Sequence, residues 1–373
     1  MSLLGAMSTA ISGLTAQSDS FGNISDDIAN SQTTGFKRVD TDFINYLTTS
    51  TPTDNEPGAV IAQPDYVNTV QGTISQTDNP LGLAISGQGF FAVSQSTSTA
   101  GTTPVFSPQQ YYTRDGDFQM NAEGYLVNDA GEYLNGWIAG ADGTLDKTNI
   151  QPIQVSQTAY KPVATGNVTL SANLPPGGNV DASTGNQDPI TSTISVYDAQ
   201  GTSHQLTLSF TSQGANSDKW DLTVTDDSGN TIGTATLAFG ADGTLSSVTQ
   251  GSTTQNTAGQ QASITLNTLY PTSSGSMQNI NLNIGDIGGT NGLTQFAATS
   301  YTLNGISQDG VPPGNFSSVT TTTAGDIVVN YTNGQSRVIA QAPVVTFAAP
   351  DALQSQNGAS FTATNASITR YIS

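Results

Sequence analysis

The chain has no cysteine, a single histidine, few charged residues and no long apolar run, and each shortage removes a class of function. Without cysteine there can be no disulfide, no thiolate metal site and no cysteine nucleophile. Such a chain also suits secretion in the unfolded state, since no disulfide step remains to complete. His204 alone cannot build a zinc site, and it opens an alternating strand pattern, as a packed or rim histidine would. No Gly-x-Ser-x-Gly elbow and no phosphate-binding loop occurs. Charged residues make up only 10% of the chain, divided as 8 basic and 28 acidic for a formal charge of -20. That surface repels phosphate backbones, so nucleic acid is not an expected partner. No apolar stretch approaches the roughly 20 residues of a helical span, so membrane insertion is not expected. No Lys or Arg precedes Lys37, so the basic start of a cleaved signal peptide is missing and any export would proceed without one.

Ser, Thr, Asn, Gln and Gly fill the place of the missing charge. With 35% hydrophobic residues this describes a polar-surfaced β-protein, since a disordered chain would carry more charge. The exception is the start. Met7, Leu14, Phe21 and Ile28 recur at seven-residue spacing, flanked by Leu3, Ala10, Gln17 and Ile24, with Leu4 and Ile11 alongside. This is one apolar seam along a helix of about eight turns, of the coiled-coil kind. A lone apolar helix heading a β-protein needs a partner, which points toward assembly. Gly5, Gly13 and Gly22 fall off the seam and weaken the isolated helix by roughly 1 kcal/mol each. Asn30 and Gly35 are helix-stop and turn residues.

The predicted fold is mainly β with an N-terminal α-helix and two β-domains, the second inserted within the first. Residues 1–35 form the helix and the segment after it, and 36–75 a polar connector broken by Pro52, Pro57 and Pro64. Residues 76–160 plus 294–365 form the first β-domain, 161–293 the inserted outer one, and 366–373 the C-terminal end. Turn pairs such as Asp115-Gly116 and Glu123-Gly124 mark a hairpin series, and Asn333-Gly334 a tight hairpin turn. Alternation through Leu206, Leu208 and Phe210, then Trp220, Leu222 and Val224, indicates an antiparallel sandwich or barrel. Gly140 to Leu145 repeats as Gly240 to Leu245, which is turn chemistry used twice; a calcium loop would need further spaced carboxylates. The remaining carboxylates mostly neighbour Gly or Asn, as turn residues do. No catalytic, cofactor-binding or metal-binding residue emerges. Lys37-Arg38 is the only adjacent basic pair, either a solvated stretch past the helix or a contact to an acidic neighbouring subunit.

Three blocks resemble one family. The segment Asn23-Ile24-Ser25-Asp26-Asp27-Ile28-Ala29-Asn30-Ser31-Gln32-Thr33-Thr34-Gly35-Phe36-Lys37 resembles the N-terminal signature of bacterial flagellar rod and hook proteins. Its matching positions are Asn23, Ile28, Ala29, Asn30, Thr33, Gly35, Phe36 and Lys37. The blocks Asn79 to Phe91 and Tyr112 to Phe118, leading to Gly124-Tyr125-Leu126-Val127, are similar to two further family motifs. Within the family the hook protein fits best, because residues from about 160 to 293 would form its additional β-domain.

The resemblance implies a structural subunit and no enzyme, with no cofactor. Such subunits pass unfolded through the flagellar type III export apparatus and polymerise into the short curved tube joining rod to filament. The implied partners are further copies of itself, the rod, the hook cap and the hook–filament junction proteins. The implied location is the hook and basal-body region, outside the cell. Terminal helices would line the channel through the seam Leu4, Met7, Ile11, Leu14, Phe21, Ile24 and Ile28. A distal rod protein shares the three blocks but lacks the large insertion. A secreted adhesin or glycan-binding sandwich would leave the seam unexplained, and a hydrolase has no site to support it. Family hook proteins also end in a second helix, whereas this chain ends Ala366-Ser367-Ile368-Thr369-Arg370-Tyr371-Ile372-Ser373. Truncation is the reading favoured over a partner helix supplied by another subunit. The purified chain is then expected to be monomeric, with residues 1–30 unprotected in hydrogen exchange.

Overall fold

Leu3–Ala29 form α1, and the chain turns where Asn30 donates from both its backbone and its side chain to the Asp26 carbonyl at 3.0 Å. In the computed structural model the described residues are 3–100, 103–140, 143–179, 187–214, 217–271, 277–367 and 370–372. Ala141 and Asp142 of the first turn repeat, and Ile368, Thr369 and Ser373 at the end, lie outside them. Two units are present, residues 1–158 with 316–373, and residues 159–315.

The segment expected to be a connector is instead a long hairpin, β1 (Val39–Thr51) and β2 (Asp54–Tyr66), paired antiparallel. Its prolines obscured it. A two-stranded sheet leaves each strand an open edge, where the missing proline N–H is tolerated. Pro57 also sits where the register shifts, opposite Leu47.

The rest of the first unit is a sheet built around β3 (Phe90–Ala100). Successive side chains of a strand point to opposite faces, and β3 buries both. Phe91 and Val93 join Phe118, Leu126, Leu134 and Ile153 on one side. Phe90 and Ala92 join Tyr112, Val345 and Phe361 on the other. The returning chain completes this unit. Strand Ser336–Gln341 pairs with Glu132–Ile138, and Val344–Phe347 pairs with β3. Residues 370–372 pair with Val344–Phe347, so the C-terminal end belongs to this sheet.

The second unit has two sheets. One holds six antiparallel strands in chain order from Ile190–Tyr197 to Thr253–Gln255. The other is mixed, because Asn167–Asn173 runs parallel to Met277–Asp286 and Leu293–Thr294. Strand Thr302–Gln308 closes its edge against Asn167–Asn173, so the chain returns to the first unit after residue 315, not at 294. That strand presents mostly exposed residues, and its partners Val168 to Asn173 lie far away in sequence, which no local pattern reveals. One apolar cluster draws on both sheets, including Leu170, Leu208, Phe210, Trp220, Leu237, Ile264 and Leu282. The alternation read from the sequence is this cluster's inward face.

His204 lies on strand Ser203–Ser212. Its Nδ1 is 3.0 Å from Asp227 Oδ2, its Nε2 3.5 Å from Asp198 Oδ2, and its ring stacks on Tyr270 at 3.7 Å. Burial, then the charges of Asp227 and Asp226, push the Tyr270 phenol up to about 12.

Leu208 is 1% exposed in this cluster. Leu208→Ala should destabilise the second unit by about 2–5 kcal/mol. Urea unfolding followed by Trp220 fluorescence, in a Trp137→Phe background, measures it.

Candidate functional site: an exposed helix seam above a cationic groove

The helix rests on the hairpin by its small polar side. Thr9, Ser12, Ala16, Ser20, Asn23 and Asp27 recur at three- and four-residue intervals, which places them in one stripe. Thr9 Oγ1 donates to the Gly58 carbonyl at 3.1 Å, and the Val60 N–H donates to Ser12 Oγ at 3.2 Å. Asn23 Nδ2 donates to Thr41 Oγ1 at 2.8 Å, and the Val39 N–H to Asp27 Oδ1 at 3.2 Å. Ala16, at the centre, is 2% exposed.

The seam lies on the opposite side. Leu4, Met7, Ile11, Leu14, Phe21, Ile24 and Ile28 are all open to solvent, from 49% exposed at Ile24 to 78% at Leu4. All seven therefore share one unburied face, and no second α-helix covers it among the described residues. The polar stripe escaped the sequence reading, although its spacing was visible, because attention to apolar residues hides a contact made by hydroxyls and amides.

Below the helix the signature residues form a loop. Thr33 N–H donates to the Asn30 carbonyl at 2.9 Å, Thr33 Oγ1 to Asn30 Oδ1 at 3.2 Å, and Phe36 N–H to the Thr33 carbonyl at 3.3 Å. Ile28 and Ala29 stay exposed; Phe36 is half-buried. Gly35 has φ +74°, and a Cβ there would stand 2.4 Å from the Asp115 nitrogen. Only glycine combines that backbone with that approach.

All three sequence blocks meet here. Gly35 touches Arg114 and Asp115 of the Tyr112–Phe118 block. Gly116 of that block faces Leu83, where a Cβ would fall 1.7 Å from the Leu83 oxygen, and the Leu83 N–H donates to the Gly116 carbonyl at 2.9 Å. Asn79 Nδ2 donates to Asp117 Oδ1 at 2.6 Å and to the Phe118 carbonyl at 2.9 Å. Arg114 donates to the Gly87 carbonyl at 2.8 Å while its guanidinium lies 5.2 Å from the Phe90 ring centroid. Asn68 ties the end of the hairpin to the returning chain: its N–H donates to Asp351 Oδ1 and its Nδ2 to the Pro350 carbonyl. Neither Asn68 nor Asp351 stood out in the sequence, since 283 positions separate them.

These segments enclose a groove of about 1190 Å³ whose charged lining is Lys37, Arg38 and Arg114 with Asp27 and Asp117. Lys37 donates to the Val70 carbonyl. Burial, then the neighbouring Arg114 charge, holds its amine down at about 8, with Asp351 opposing. Burial also lowers Arg114. Arg38 pairs with Asp40 at 3.1 Å, both exposed, a contact worth about 0–1 kcal/mol.

Together these features define a class: a two-unit β-protein headed by a helix whose apolar side its own body leaves uncovered. The chain belongs to the flagellar hook protein family, a family of structural proteins and not of enzymes. Residues 84–173 match the model for the "Flagellar hook protein FlgE/F/G D1 domain", and residues 167–311 that for the "Flagellar basal body protein FlaE D2 domain". The chain is similar to flagellar hook protein FlgE of Brucella abortus, with 32% identity over 362 residues covering 96% of this chain and 82% of the relative. FlgE of Salmonella typhimurium is 29% identical over 376 residues, covering 97% and 84%. The crystal structure of Helicobacter pylori flagellar hook protein FlgE2 shares the fold, with a TM-score of 0.51 over 79% of this chain and 95% of that one at 14% identity.

Lys37 makes a signed prediction. The folded state releases this proton near pH 8 and the unfolded state near 10.5. Above pH 8 the folded state binds fewer protons, so stability rises with pH across that window. The difference in urea stability between wild type and Lys37→Met, taken from pH 7 to 10.5, should therefore shift in favour of wild type. A flat difference would show that the amine is not perturbed.

Proposed function

We propose that this chain is the repeating subunit of a flagellar hook tube, in which the α1 seam packs against helices of neighbouring copies at the inner layer. The carrying observation is that the body satisfies the polar side of α1 and leaves seven large apolar side chains uncovered on the other. An exposed apolar face of that length on a soluble chain marks an interaction surface. At roughly 1.5–3 kcal/mol per fully buried side chain, the seam would contribute on the order of 10 kcal/mol once covered. Association itself costs an estimated 4–15 kcal/mol. The seam alone is thus close to break-even, and the β-units must add contacts.

In this reading the signature residues Asn23 to Lys37 set the angle at which the helix leaves the β-body, and Gly35 locks that loop onto Asp115. The two β-units form the outer wall. Their polar, sparsely charged surfaces suit neighbours that slide as a rotating joint bends, because no single contact dominates. The subunit is exported unfolded by the type III apparatus. It then meets the rod at one end of the tube and the junction proteins at the other, under a hook cap. The lack of cysteine supports the export step, since refolding outside the cell needs no oxidation.

A strain deleted for this gene should lose its hooks in electron micrographs of basal bodies. The wild-type gene should restore them. A Leu14→Asp/Phe21→Asp variant should not, although its urea unfolding free energy as a purified chain stays within about 1 kcal/mol of wild type, about 0.5 kcal/mol for each exposed site. Hooks of normal number in the deletion strain, or from the variant, would contradict the proposal.

A further inference from the structure

The groove and the hairpin carry opposite charges on one chain. Lys37, Arg38 and Arg114, three of the chain's eight basic residues, line the groove with Asp27 and Asp117, whose carboxylates accept from the Val39 N–H and from Asn79 Nδ2 of the same chain. Neither Lys37 nor Arg114 has a carboxylate within 4 Å among the described residues, and the Arg114 Nε, which is buried, has no hydrogen-bond partner. Val70 and Ile74 lie open on the same groove, at 54% and 51% exposed.

The hairpin shows the complement. Thr41, Val60 and Ala62 take the face toward α1, so the other face of the β1–β2 pair points away from it. On that face Asp40 stands opposite Asp65, with Asp42 two residues along, and all three are exposed. Asp42 and Asp65 take part in no ion pair among the described residues. Further along the same face Ile44, Tyr46 and Ile61 are exposed too. Carboxylates followed by apolar groups on one surface thus match cations beside apolar groups on the other. The local Arg38–Asp40 pair shows that the acidic face accepts a guanidinium.

We propose that the Lys37–Arg114 groove receives the outward face of the β1–β2 hairpin, with Asp42 and Asp65, from a second copy of this chain. Two reasons favour a second copy over an unrelated partner. A chain of net charge -20 repels its own kind, and a polymer of it needs paired opposite charges at its joints. Moreover, the two surfaces are different patches of one chain. A head-to-tail contact between unlike patches, unlike a two-fold contact, leaves a free patch at each end and propagates into an open helical polymer wherever its rotation does not close a ring. The inference rests on the assembly reading above and adds the specific joint.

Zero-length carbodiimide coupling tests it. Assembled hooks and the same subunits dissociated from them are treated in parallel, and the cross-link between Lys37 and a carboxylate of β1 or β2 is quantified by mass spectrometry. At least tenfold more of this product is expected in hooks than in dissociated subunits. A charge swap gives the second arm. Lys37→Glu should reduce hook number at least tenfold, Asp65→Lys likewise, and the two together should restore it. Hooks that form without the cross-link, equal cross-linking in free subunits, or normal hooks from Lys37→Glu would overturn the joint while leaving seam-driven assembly intact. Absence of hooks from the wild-type gene would overturn the assembly reading, and the joint with it.

Discussion

A helix has two opposite sides, and a single hairpin can cover one of them. In this chain the hairpin takes the side made of hydroxyls, amides and alanine, so the apolar side remains in water. Most of the chain's behaviour follows from that choice. Burying the seam instead would have given a self-contained protein. The polar stripe holds the helix to its own body through directional hydrogen bonds, each worth only about 1 kcal/mol net. The apolar side takes no part in holding the helix to this chain.

The second consequence is geometric. In the assembly proposed above, the seam is useful only if the helix leaves the body at a reproducible angle. Three separate stretches of chain converge to set it. Gly35 admits the Asp115 backbone, Gly116 admits Leu83, and Asn79 spends its side chain on Asp117 and Phe118. The same convergence gathers Lys37 and Arg114 into one groove, where burial makes both give up a proton more readily.

How much of this could be read beforehand depended on the kind of signal. The seam was legible because apolar residues at helical period need no knowledge of the fold. The three blocks were legible as a family resemblance, but not their meeting point. Nothing in Gly35 or Asp115 alone indicates that they touch. β3 carries no alternation to mark it as a strand, because both of its faces are buried. The hairpin was missed where prolines and polar residues imitate a linker. The end of the inserted unit was misplaced because Thr302–Gln308 is an exposed edge strand whose partner lies far away in sequence.

The account stands on α1 being held by its polar stripe and left apolar side out until neighbours arrive. Hydrogen exchange of the α1 amides, compared between the isolated subunit and assembled hooks, tests this most directly. In the isolated subunit these amides should exchange much faster than those of strand Ser203–Ser212, which pairs on both sides. In hooks they should become as slow as that strand. Equal protection of α1 in both states would show that the seam is already covered within one chain, and would contradict the account.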